Sequence, residues 1–187
     1  EDGQGWHLRV SPHLTQVEDY IDAERCFARS TNTACTAANL TLQDGFVYLR
    51  YVNQSARLYG VDLSGDLQLG EWGALGEVGT RAQISWLRGT NRDTGDQLLN
   101  IMPLHARFTL EQSRPLAGGR WNGALELELV GAKDRVSATR NEMRTAGYGL
   151  LHLRAGWELG GLRIDVGIEN LLDRFYRHPL GGAYLGQ

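Results

Sequence analysis

The chain has 187 residues, 42% hydrophobic and 22% charged, with a formal net charge of -3. That suits one ordinary domain, and the 19 Lys and Arg residues are scattered rather than clustered, which argues against a nucleic-acid partner. No run of about 18 apolar residues occurs, so no transmembrane helix is predicted, while 24 glycines against 4 prolines favour many strands joined by turns.

The N-terminal EDGQGWHLRV is acidic and polar and does not read as a signal peptide. From there apolar and polar residues alternate with period two. Trp6, Leu8, Val10 and Leu14 alternate with His7, Arg9, Ser11 and His13. Next comes a polar loop, RCFARSTNTACTAANLT, holding the chain's two cysteines. Cys26 and Cys35 read as one disulfide of an oxidising compartment, with two free loop thiols as the alternative. Closing so small a ring is worth about 2–3 kcal/mol in the chain-entropy model.

Alternation then resumes. Val61, Leu63, Leu67 and Leu69 interleave with Asp62, Ser64, Asp66 and Gln68. Val78, Ala82, Ile84 and Trp86 interleave with Arg81, Gln83 and Ser85. Ala106, Phe108 and Leu110 alternate with His105, Arg107, Thr109 and Glu111, and Leu125, Leu127 and Leu129 with Glu126 and Glu128. Two final runs are Leu151–Leu159 and Leu162–Glu169. About seven strands and no helix are predicted. A soluble sandwich alternates in the same way, so alternation alone does not decide.

Three further patterns favour a membrane barrel. Connections run long and short in turn: polar loops near Ala23–Asp44, Asn91–Pro103 and Thr139–Gly147, tight turns near Gly70–Gly73, Pro115–Gly123 and Gly160–Gly161. In a meander this puts every long loop at one end, as in bacterial outer-membrane barrels. Trp6, Trp72, Trp121 and Trp157 fall toward the turn end, and Trp86 with Tyr20, Tyr48, Tyr51, Tyr148 and Tyr176 toward the loop end, like two interfacial girdles. Strands such as Phe46–Leu69 exceed the 9–11 or so residues that span a bilayer, as in a large surface receptor.

The opposite face carries Arg81, Arg107, Glu111, Glu126, Glu128, Arg154, Glu158, Arg163, Asp165 and Glu169. In a closed barrel it lines the lumen. Glu126 and Glu128 lie on one face about 7 Å apart, a spacing open to acid–base work but commoner as lumen carboxylates between arginines. The histidines show no metal-ligand spacing, although His105 and His178 fall near the loop end. Met102 and Met143 are loop thioethers that could serve as soft metal ligands beside them. Gly73–Gly79 mimics a phosphate loop but lacks the helix that one requires. No Ser-His-Asp set is identifiable, no enzyme activity is expected, and no cofactor is implied.

Four segments together resemble the TonB-dependent outer-membrane receptors. GIENLLDRFYRHPLGG is similar to that family's penultimate strand and loop through Gly167, Asn170, Leu171, Asp173, Tyr176 and His178. YVNQSARLYGVDLSG carries Asn53, Ala56, Gly60 and Asp62, with Asp62 in place of the family's Glu. NIMPLHARFTLE supplies Pro103 and Arg107, and RTAGYGLLHLRAGW resembles the entry to the next strand. These matches mark structural positions.

The resemblance implies an antiparallel, up-and-down β-barrel of 22 strands in the bacterial outer membrane. This chain, 1–187, is then the C-terminal portion of that barrel, without its plug domain and final strand. The implied activity is TonB-dependent uptake of a scarce nutrient: a ferric siderophore, haem, cobalamin or a metal ion. The implied partners are outer-membrane lipid, the protein's own plug, TonB acting through the plug, and a small-molecule or metal-chelate substrate. Loops near Cys26–Cys35, Asn91–Pro103, Arg140–Thr145 and Arg177–Tyr184 are expected to form the outer vestibule, with Met102, His105, Met143 and His178 as candidate ligand-facing side chains. A plugless porin, an outer-membrane enzyme and a soluble β-sandwich or barrel binding protein are the alternatives.

Overall fold

The computed structural model describes residues 2–3, 5–25 and 49–181. Cys26, Cys35 and Tyr48 lie outside them, so the expected disulfide does too. Eight strands follow in chain order: β1 (Asp2–Gly3), β2 (Trp6–Arg25), β3 (Leu49–Glu71), β4 (Glu77–Asn91), β5 (His105–Leu116), β6 (Gly119–Val130), β7 (Tyr148–Leu159) and β8 (Leu162–Ile168). They form one sheet in the order β1 to β8, each antiparallel to the next. The predicted meander holds, with the two-residue β1 added to the seven strands expected. The only helix among the described residues is one 3-10 turn, Gly73–Leu75, inside the β3–β4 connection.

Register places the apolar residues in continuous rows on one face. Leu8, Val10 and Trp6 oppose Gly65, Leu63 and Leu67, and Leu63 opposes Ile84. Further along, Phe108, Leu127 and Leu151 form one row, and Leu110, Leu125, Leu153 and Ile168 another. This face is left open: Val10, Leu14, Phe108, Leu125, Leu127, Leu153 and Val166 are all exposed. The buried apolar residues are few and mostly small, for example Ala56, Val78 and Ala106. A soluble sheet buries its apolar rows, whereas a barrel turns them to lipid.

The loop asymmetry also holds. Residues 92–104, 131–147 and 169–181 sit at the end where β2 stops and β3 starts, and the turns after β3, β5 and β7 sit at the other. The strands β2 and β3 run 20 and 23 residues, far beyond a bilayer's width, and project at the loop end.

The girdles are only partly as expected. Trp6, Trp121 and Trp157 lie on the outward rows near the turns, and the Trp157 indole donates to the Leu116 carbonyl (3.2 Å). At the loop end Trp86 and Tyr51 face outward, joined by Tyr59, which packs edge-on to Trp86 at 5.7 Å. Tyr20 and Tyr148 instead turn inward. Tyr148 is buried and stacks on Tyr176 at 4.6 Å. Tyr20 turns because β2 carries a bulge: three steps from Val17 to Tyr20 match two from Ala56 to Gln54. One extra residue reverses the facing of everything after it. Asp19, at φ 55, sits in the bulge.

Candidate functional site

Two polar regions share the inward side. The first is the wall of β5, β6 and β7. Cross-strand register sets Arg107 against Glu128, and Glu126 between Thr109 and His152. The Arg107 guanidinium lies 3.4 Å from a carboxylate oxygen of each glutamate. His105 Nε2 and His152 Nε2 approach Glu128 at 3.3 and 3.7 Å. Arg107 Nη2 donates to Glu128 at 3.4 Å, whereas both histidine Nε2 atoms and Arg107 Nε are buried without a hydrogen-bond partner.

Ligand atoms of Glu126, Glu128 and His152 fall within 4.8 Å of one another, a spacing that a metal ion could use. Two facts oppose that use. Arg107 already supplies a positive charge to both carboxylates. His152 Nδ1 accepts the Asn170 amide (3.3 Å), so in the neutral ring the proton sits on Nε2, the atom facing the glutamates. The wall is an ion-pair network with all its members on rigid strands.

The second region ties the loops together. The bulge in β2 turns Asp22 inward, where it accepts from Asn91 Nδ2 (2.7 Å) and pairs with Arg140 (2.8 Å). Arg25 donates to the Ala138 and Thr139 carbonyls and to Asn141. Lys133 pairs with Glu142 at 2.6 Å, with side chains 2% and 7% exposed. Glu142 also accepts the Asn100 and Ser137 amides (both 2.8 Å), and Lys133 donates to the Pro179 carbonyl (3.1 Å). One buried pair thus holds all three described loops. The sequence reading missed these residues. Lys133 and Glu142 are two charges nine apart in a polar loop, and Asp22 lies beyond a bulge that alternation does not reveal.

Asp96 is a third anchor. It accepts from Ser137 Oγ and from the Ala138 and Thr139 amides, each at 3.0 Å. Burial pushes its pKa up, but the hydrogen bonds from Thr139, Ala138 and Ser137 together win and hold it below the ordinary 3.8. A carboxylate lowered on folding stabilises fully above its unfolded pKa and loses that contribution as pH falls through the folded one. Protection factors for hydrogen exchange in residues 137–139, with the intrinsic pH dependence of exchange divided out, should therefore be flat above about pH 4 and fall as the pH drops below it. Asp96→Asn should weaken this segment at neutral pH and remove the acid dependence; an unchanged acid response would assign it elsewhere.

The candidate ligand-facing residues separate. Met143 and His178 line one cavity of about 310 Å³ with Arg140, Arg177 and Thr145. Met102 lines a different groove and packs against Val130, Tyr148 and Leu150. His105 belongs to the wall. The Arg177 Nη1 approaches the Met143 sulfur at 3.9 Å.

The motif residues have structural work. At Gly60 a Cβ would meet the Trp86 carbonyl oxygen at 2.3 Å and His13 Nε2 at 2.8 Å, so no larger residue fits. Asp62 accepts from Ser85 Oγ (2.6 Å). Asn53 lies in β3 opposite Ile21, Pro103 precedes β5, and Gly167 lies opposite Arg154. Asn170 adopts φ 50, and its amide bonds both the N–H and the carbonyl of Arg174 (2.9 and 3.0 Å). The Leu171 amide donates to the Leu151 carbonyl, and Asp173 takes φ 48. These residues turn the chain out of β8, and Tyr176 docks it on Tyr148.

The comparisons agree with this geometry. The family model described as TonB dependent receptor-like, beta-barrel, matches residues 2–171. No curated protein matches. Among solved structures, the chain is similar to one titled copper transporter OprC, with a TM-score of 0.74 and 20% identity over 96% of this chain and 25% of that one. At that identity the likeness shows the fold alone, and the chain spans about a quarter of the transporter's length. Outward apolar rows and loops gathered at one end are what a barrel wall in the bacterial outer membrane needs, and with the match over residues 2–171 they place this chain in the TonB-dependent receptor family, within its β-barrel.

Proposed function

We propose that the intact protein takes up a scarce nutrient across the bacterial outer membrane, driven by TonB acting on a plug inside the barrel. In this reading the chain is the C-terminal part of a 22-strand barrel, with the plug and last strand outside it. The observation that carries the proposal is the loop assembly: long connections are fastened by buried ion pairs into a fixed vestibule at the lumen's outer end. A porin needs no such fastening. A Cys26–Cys35 disulfide belongs to the same proposal, since a cell exterior is oxidising.

The cavity beside Met143 bears on the cargo. A thioether and an imidazole suit soft metals such as copper. Yet Arg177 lines the same cavity beside the Met143 sulfur, while Arg140 is paired with Asp22 and Glu142 with Lys133, so the charge left over in the lining is positive and opposes a bare cation. The lining favours a metal held in a chelate with anionic oxygens, such as a ferric siderophore, over a free ion. The test is uptake of labelled ferric siderophores, haem, cobalamin and copper by cells with and without the gene, and with TonB disabled. Uptake of one cargo that requires both the gene and TonB is expected. Uptake indifferent to TonB would favour the porin.

A further inference from the structure

The chain has two methionines, and the fold places them differently. Met102 is half-buried and packs on Val130, Tyr148 and Leu150. Met143 is 40% exposed and lines the cavity that it shares with Arg177 and His178. The chain is fixed on either side of it. Glu142 is held by Lys133 and by the Asn100 and Ser137 amides, and Thr145 exchanges backbone hydrogen bonds with Lys133 (2.9 and 3.3 Å). A rigid loop thus presents this thioether to solvent.

The Arg177 Nη1 donates to the Met143 sulfur at 3.9 Å, and among the described residues Arg177 has no other hydrogen bond or ion pair. A thioether is a weak acceptor, so a full cation is matched to a poor partner. One more oxygen fits between them. Bonded to the sulfur on the Arg177 side, it would lie about 2.9 Å from Nη1, an ordinary N–H···O distance.

We propose that Met143 is a reversible oxidation site and that Arg177 captures the sulfoxide oxygen. The oxidant is a peroxide. A sulfur lone pair attacks one peroxide oxygen, and the S–O bond forms as the O–O bond breaks. The departing hydroxide takes the proton left on the transferred oxygen and leaves as water. Sulfur is oxidised by two electrons and the peroxide is reduced. Two thiols reverse the step, becoming a disulfide while the oxygen leaves as water. The oxidised side chain fastens residues 131–147 to 169–181 through Arg177 and occupies the unpaired cation of the cavity lining. A sulfoxide sulfur is chiral. The guanidinium holds the incoming peroxide on its own side, so one epimer predominates about fivefold, the worth of one hydrogen bond. The proposal concerns the chemistry of the cavity and rests on no cargo.

The test uses the intact receptor in detergent micelles, with hydrogen peroxide as the oxidant. Peptide mass spectrometry should find one added oxygen at Met143 before any at Met102. After digestion, the two methionine sulfoxide reductases, each specific for one epimer, should differ about fivefold in how much Met143 they restore. Arg177→Ser should make the two equal, and Arg177→Lys, which keeps a donor, should keep part of the excess. Heat-modifiable migration checks that each variant is folded. Hydrogen exchange in residues 139–145 and 174–178 should slow on oxidation of the parent and stay unchanged in Met143→Leu, which keeps the bulk without the sulfur. Oxidation of Met102 first, equal epimers in the parent, or an excess that survives Arg177→Ser overturns the proposal. Exchange that does not slow on oxidation overturns it as well.

Discussion

Glu142→Ala should cost the loop assembly about 3–5 kcal/mol, the usual penalty for removing one partner of a buried ion pair. Three losses coincide. Lys133, 2% exposed, keeps its charge with no carboxylate to meet it. The Asn100 and Ser137 amides lose their acceptor. The loops 92–104, 131–147 and 169–181 lose their shared anchor, while the strands below keep their hydrogen bonds. Hydrogen exchange and limited proteolysis should show the change confined to those loops, with the barrel's thermal transition nearly intact. Glu142→Gln keeps the shape and one acceptor oxygen, so it should fall between. A Glu142→Ala protein with loops as protected as the parent would mean the pair contributes nothing. Cargo binding should weaken in parallel if the loops form the vestibule.

Leu127→Arg should cost about 2–4 kcal/mol when the barrel inserts, the price of an arginine on the lipid face near the midplane. Leu127 lies between Phe108 and Leu151 at the middle of the outward rows. Its neighbour on the other face, Glu126, provides the contrast: Glu126→Gln changes one lumen ion contact and should be far milder. Folding into lipid vesicles, followed in denaturant, measures both. In a soluble sheet with this face in water, Leu127→Arg would be harmless. That single outcome would remove the membrane reading, whatever the family match.

Much of this was legible before any coordinates. Period-two alternation needs only sterics and the pleat, so strands such as β6, where Leu125, Leu127 and Leu129 alternate with two glutamates, could be placed almost residue by residue. Loop asymmetry followed from counting. The motif residues could be placed but not explained: nothing in GIENLLD says that Asn170 uses both ends of its amide on Arg174. The loop clamps were invisible for a physical reason. Lys133, Glu142, Asp96 and Asp22 act through partners far along the chain, and long-range pairing of charges in polar loops leaves no periodic trace. Asp22 and Tyr20 were hidden twice over, because the bulge at Glu18–Asp19 flips the parity on which any inward or outward assignment depends. The tyrosine girdle failed at Tyr20 and Tyr148, though not at Tyr51, for the same kind of reason: an aromatic residue near a strand end signals an interface only if its facing is known.

The projecting part of β2 and β3 has a consequence for how the outside of the receptor communicates with its inside. Above Ala56 these strands pair with each other but no longer with β4, whose ladder ends at Asn91. A two-stranded ribbon is marginal alone in water. This one is braced at its base by Asn91 holding Asp22, and from the side by Arg140 holding Asp22 and Arg25 holding residues 138–141. Arg140 also lines the cavity beside Met143. If the cavity holds the proposed cargo, one that draws Arg140 toward itself loosens the ribbon, and by reciprocity a partner that pins the ribbon changes the cavity's affinity by the same factor. The tall hairpin and the proposed vestibule would then be two ends of one balance, and a molecule that grips the hairpin from outside would set how tightly that cargo is held.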